Sequence, residues 1–137
     1  MTTRIWIVTT GSYSDYQIQG AYTTEQEAIE HAIRIEKDEG YFKETDIEVY
    51  EGHERIWNEE LQRRPYYRID YIAGAGKPYA DKRESYIFTH DVRAKVKRRM
   101  GNSFSVEGTD LTEVKKVFSD TLTADVIRAA QAALDEL

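Results

Sequence analysis

The order of patterns across residues 4–52 restricts the fold more than any other feature of the chain. Arg4–Thr9 (RIWIVT) is a dense run of β-branched and aromatic residues and predicts a strand. Gly11–Tyr16 (GSYSDY) predicts a turn, because Ser and Asp side chains bond nearby backbone N–H groups and Gly11 tolerates unusual dihedrals. Gln17–Tyr22 sets Ile18, Gly20 and Tyr22 on one face and predicts the returning strand of a hairpin. Thr24-Glu25-Gln26-Glu27 is a capping box, with Thr24 at the N-cap and Glu27 at N3. It opens a helix to about Glu39 with Ala28, Ile29, Ala32, Ile33 and Ile35 or Glu36 near one stripe, and Gly40 ends it. Asp46–Tyr50 alternates again, which turns Ile47 and Val49 toward that helix. The expectation is a β-β-α-β unit.

The rest of the chain reads less regularly. Asn58–Arg64 is polar and stops at Pro65, as a linker or short helical turn does. Tyr66–Ile72 and Glu84–Thr89 predict two strands of a hairpin around the Ala73–Pro78 turn. Asp91 predicts the cap of a short helix over Val92–Met100, in which Val92, Val96 and Met100 recur every four residues before Gly101. Phe104–Val106 is a brief strand. Asp110-Leu111-Thr112-Glu113 is a second capping pattern and starts a helix to Phe118, and Thr123 is read as the cap of a last helix. That helix carries Val126, Ile127, Ala130, Leu134 and Leu137 on one stripe and is rich in alanine, which permits close packing within the monomer or between copies, and a homodimer or higher homo-oligomer is expected. The fold class expected is α+β: an antiparallel or mixed sheet with helices on one side. A β-β-α-β unit over residues 1–57 precedes a β-hairpin and helical extension over 58–137, the two packed as one domain.

At 137 residues, a core can form without covalent staples. The chain has no cysteine, so thiol chemistry, thiolate metal sites and disulfides are excluded. The apolar run near the start is too short for a signal-peptide core or a membrane span, and a cytoplasmic location is expected. His31, His53 and His90 are scattered without a metal-ligand spacing, and no cofactor is expected. The sequence AGAGKP is not a phosphate loop, since Lys77 is followed by Pro78 and Tyr71 stands where the first glycine is required. No nucleophile sits in a catalytic context, so an enzyme is not expected.

The first unit resembles a small uncharacterised domain family common in bacteriophage and bacterial genomes. The residues that carry the likeness are Gly11-Ser12-Tyr13-Ser14-Asp15-Tyr16, Ile18, Tyr22-Thr23-Thr24, Glu27-Ala28 and Asp46-Ile47-Glu48-Val49-Tyr50. It covers residues 4–52 only, and its turn motif has no assigned chemistry. By analogy with small phage proteins, the resemblance implies a counter-defence role, in some cases sequestration of a cyclic nucleotide signal.

Charge divides the chain unevenly. Residues 66–101 hold nine Lys/Arg against four Asp/Glu, a balance of +5, whereas residues 1–65 hold seven against fourteen, a balance of −7. The basic stretch also carries Tyr66, Tyr67, Tyr71, Tyr79, Tyr86 and Phe88 as flat surfaces for a base or sugar. If Ile69 and Ile87 face the core, Tyr66, Arg68 and Asp70 share an outer face with Tyr86 and Phe88, while Arg93, Lys97 and Arg98 supply phosphate donors. In the opposite register those strand residues are core and the isoleucine side lies outside. The function expected is non-enzymatic sequestration of a nucleotide-like anion by Tyr66, Arg68, Tyr86, Phe88, Arg93, Lys97 and Arg98. The alternative is a protein–protein inhibitor that applies the acidic first unit to a basic surface of a host or defence enzyme. A net charge of −6 argues against nucleic acid as the partner. The GSYSDY turn either closes on itself or exposes its two tyrosines and Asp15 to a partner.

Overall fold

The computed structural model describes residues 3–57, 61–73 and 79–137. It holds two antiparallel four-stranded sheets and two α-helices, an α+β fold. The chain divides into two compact units: Met1–Pro65 with Ser85–His90, and Tyr66–Glu84 with Asp91–Leu137.

In the first unit the sheet is ordered β2-β1-β3-β4, from β1 (Arg4–Thr10), β2 (Gln17–Tyr22), β3 (Thr45–Glu51) and β4 (Glu54–Ile56). Central β1 pairs Val8 with Ile47 and Trp6 with Val49, so the buried faces of β1 and β3 coincide. Helix α1 (Glu25–Glu39) starts at Thr24, whose hydroxyl oxygen accepts the Glu27 N–H, and ends at Gly40 with φ +100. Ala28, Ala32 and Ile35 of α1 pack with Val8, Ile47 and Phe88. The pattern read from residues 4–52 thus folds as expected. The added strand β4 follows a two-residue turn at Gly52-His53, where Gly52 takes φ +62.

In the second unit the sheet is ordered β6-β5-β8-β7, from β5 (Arg64–Ile72), β6 (Tyr79–Ile87), β7 (Lys95–Met100) and β8 (Ser103–Gly108). Ile69, Phe104 and Val106 meet Val114 of helix α2 (Leu111–Asp135). Asp110 caps α2 by accepting the Thr112 and Glu113 N–H groups.

Two sequence expectations are corrected here. The basic stretch 92–100 is not a helix: residues 95–100 form β7, paired with β8 from Lys95↔Glu107 to Met100↔Ser103. The four-residue recurrence of Val92, Val96 and Met100 is outweighed by the tight Gly101-Asn102 turn, with Gly101 at φ +57, which folds the segment back on an apolar strand. The two C-terminal helices are one. Thr123 lies inside α2, where no glycine or proline interrupts residues 111–135.

Candidate functional site

The expected anion site is only partly assembled. Phe88 is 7% exposed and belongs to the core of the first unit, with the Arg63 guanidinium 5.8 Å from its ring centre. Tyr86, also of the first unit, is exposed. Tyr66, in the second unit, is fully buried, so the expected outer ring surface of Tyr66 and Phe88 is overturned. Tyr66 follows the pleat of β5 onto the face opposite Ile69, but that face is closed over it. Arg93 is exposed and its Nε pairs with Glu113 at 3.2 Å. The side chain of Arg98 lies outside the described residues.

Three of the named residues do converge, on a carboxylate that the sequence reading passed over. Glu107 of β8 accepts the Tyr66 hydroxyl at 3.2 Å and lies 4.0 Å from Arg68 Nη1, and Arg68 Nε also pairs with Asp70 at 3.0 Å. Lys95 stands opposite Glu107 in the β7–β8 register. Lys97 is the extra residue of a β-bulge between Val96 and Arg98. Partial burial and then the neighbouring Lys95 ammonium hold the Lys97 amine below the usual lysine range, against the opposing pull of Glu107. Two cations are therefore crowded beside a single shared acid. A 220 Å³ cavity borders this face at Arg68, Asp70, Ile72, Met100 and Ser103.

The first unit presents a different site, at the turn between β1 and β2. Gly11 takes φ +74, and a Cβ there would fall on the Asp15 carbonyl oxygen, so the chain can close this tightly only at a glycine. The Gly11 N–H donates to the Glu44 carbonyl at 3.0 Å, which ties the turn to the strand beside it. Tyr13–Asp15 then forms a single 3-10 turn. Tyr16 folds back: its hydroxyl donates to Glu48 at 2.9 Å, and burial followed by that hydrogen bond raises its phenol above the usual range. Tyr13 does the reverse. It holds φ +51, the one positive φ outside glycine among the described residues, and its side chain is 99% exposed. The left-handed backbone costs a non-glycine residue about 1 kcal/mol or more, and no packing of the ring offsets that cost.

Two polar cavities, of 560 and 400 Å³, flank this turn. Their walls carry Asp15, Glu44, Asp46 and Glu48 against Lys43 and Arg63. Arg63 pairs with Asp46 at 3.7 Å and Arg55 with Glu48 at 3.4 Å, so Asp15 and Glu44 leave the rim acidic. Among the described residues, no cluster of three His, Asp or Glu side chains has metal-binding geometry.

Residues 3–61 match the model of a domain of unknown function, DUF7336. The matched segment contains the turn, α1 and the whole four-stranded sheet of the first unit. Neither a curated protein nor a solved structure matches the chain. Among the described residues no helix is long and apolar enough to cross a membrane.

Proposed function

We propose that this chain is a non-enzymatic protein-binding module that inhibits its target. It inserts Tyr13 into an apolar pocket while the acidic rim of the first unit meets basic groups around that pocket. One observation carries the reading: a tyrosine almost wholly in solvent stands on backbone that any folding-only role would assign to glycine or asparagine. Tyrosine is a frequent interface anchor, since its ring supplies area at low entropic cost and its hydroxyl seeks a partner. The balance of −7 over residues 1–65 suits a positively charged target and speeds encounter with it. This form of inhibition agrees with the counter-defence role implied by the phage resemblance. The test is affinity capture from host lysate with the wild-type chain beside Tyr13→Gly and Tyr13→Ala. A stoichiometric partner that is lost with both variants and weakened by salt supports the reading. A partner retained by both variants removes it.

A second reading is favoured by the crowded Lys95–Lys97 pair beside Arg68. These cations bind a nucleotide-type phosphate, with Glu107 as the internal counter-ion that the ligand displaces. Tyr86 and Phe88 take no part in it. A thermal-shift screen with cyclic dinucleotides and ADP-ribose separates the two readings, because bound ligand stabilises the folded state in proportion to the logarithm of its concentration.

A further inference from the structure

Helix α2 continues well past the part of it that packs on its own sheet. Leu111, Val114, Phe118 and Leu122 lie in the core of the second unit. From Thr123 onward the apolar residues turn to another side of the helix, about a third of a turn away at 3.6 residues per turn. Val126, Ile127 and Leu134 are each more than 60% exposed there. An ordinary surface helix puts its polar residues on such a face.

The exposed residues follow a heptad. Within the helix, Ile127 and Leu134 occupy a positions and Ala130 the d position between them. No charged residue falls at a, d, e or g between 123 and 137. Asp125, Arg128, Asp135 and Glu136 all fall at b, c or f. Side-chain partners on the helix's own unit already occupy that charged back: Asp125 accepts from Arg99 and Arg128, and Asp135 accepts from Gln131 at 2.9 Å. The exposed seam therefore offers a partner shape and apolar area, with no charge to recognise or repel.

We propose that this seam pairs with the same seam of a second copy, antiparallel, around a two-fold axis near residue 132. In that register Leu134 of each copy lies over Ala130 of the other, so a large side chain meets a small one on both sides of the axis. An uncharged, self-complementary strip satisfies a copy of itself and gives no ionic handle to an unrelated helix. From Thr123 to the end of the helix the seam spans about 18 Å at 1.5 Å per residue, so the dimer is reversible and concentration-dependent. This pairing is independent of the Tyr13 reading.

The test is sedimentation of the full chain over a dilution series, beside an Ile127→Lys/Leu134→Lys variant. Both positions are exposed, so the variant keeps the melting curve of the dilute, monomeric wild type. The wild type shifts from monomer to dimer as concentration rises, and the variant stays monomeric. The absence of native cysteine allows a register test: equal amounts of Ala130→Cys and Leu134→Cys chains are mixed and oxidised. The antiparallel seam gives mainly the mixed disulfide. A wild type monomeric at every concentration, a dimer indifferent to the two lysines, or a preference for like-with-like disulfides overturns the proposal.

Discussion

The side chains of Glu36 and Thr89, 53 residues apart in the chain, meet in a hydrogen bond of 2.7 Å. Glu36 is fully buried in α1, and neutral donors surround its carboxylate. One oxygen accepts the Thr89 hydroxyl and, at 3.0 Å, the Thr89 N–H. The other accepts the Thr45 hydroxyl at 2.6 Å, and the Phe88 N–H bridges both oxygens at 3.0 and 3.1 Å. A buried carboxylate is costly unless hydrogen-bonded, and here the bonds come from a distant segment. Glu36 thus fastens Ser85–His90 to the first unit and seats Phe88 in its core. Glu36→Gln turns one acceptor into a donor facing other donors and lowers unfolding free energy by about 2 kcal/mol. Glu36→Ala costs more, roughly 3–5 kcal/mol, and removes amide-exchange protection at Phe88 and Thr89. An unchanged denaturation midpoint for Glu36→Gln rules out this anchoring role.

Gly11 and Tyr13 sit two residues apart, yet replacing them has opposite effects. Gly11→Ala drives a methyl into the Asp15 backbone at positive φ and destabilises by about 2 kcal/mol or more. Tyr13→Gly relieves the left-handed backbone and raises stability by about 0.5–1 kcal/mol. Urea titration of both variants checks this pair of signs. A stabilised Tyr13→Gly that also loses its captured protein marks a residue kept for contact at the expense of folding. A destabilised Tyr13→Gly shows instead that the ring supports the turn.

The first unit was legible because its elements are local. A hairpin turn, a capping box and two alternating runs each announce themselves within a few residues, and Thr24, Gly40, Ile47 and Val49 all take the places read for them. The basic strand β7 was misread because the recurrence of Val92, Val96 and Met100 imitates a helix, while its true signal is the Gly101-Asn102 dipeptide ahead of Phe104–Val106. Burial of Tyr66 and Phe88 was not legible, since alternation tells which residues share a face and not whether that face is covered. Ile35 and Glu36 compete for the last place on the apolar stripe of the helix, and the role of Glu36 depends on donors 52 and 53 residues away. The exposure of Tyr13 was one of two alternatives for the turn, and only its backbone angle, with Tyr16 folded onto Glu48, separates the two tyrosines.

His31 gives the first unit a pH dependence of defined sign. Its Nδ1 and the Tyr22 hydroxyl share a hydrogen bond of 2.8 Å, and the rings meet edge to face at 5.6 Å. Gly20 leaves the space, since a Cβ there would approach Nδ1 to 3.0 Å. Burial first, and the Arg34 charge second, hold the imidazole below its ordinary value of 6.5. The unfolded chain therefore takes up a proton before the folded chain does. Stability is complete above about pH 6.5 and falls as pH drops from there toward the folded-state value. Denaturation at about pH 7.5 and about pH 5.5 shows this loss in the wild type, and His31→Gln reduces it. An equal loss in both proteins assigns the acid sensitivity to carboxylates instead.

Glu107 decides between the two functional readings at the second unit. While it is ionised it partly neutralises Arg68, Lys95 and Lys97, and it satisfies the buried Tyr66 hydroxyl. Glu107→Gln keeps an oxygen for Tyr66 but deletes the charge, which leaves the Lys97 amine further below its usual range and the lysine pair in greater need of an anion. If these cations form a phosphate site, the variant loses stability in dilute buffer. It recovers with pyrophosphate or ADP-ribose, and binds them at least about tenfold more tightly than the wild type, a difference of about 1.4 kcal/mol. Isothermal titration measures that ratio directly. If the variant is destabilised and binds neither ligand, the cluster is an internal ion-pair network that holds β7 to β8. The acidic face with Tyr13 is then the remaining candidate for a partner.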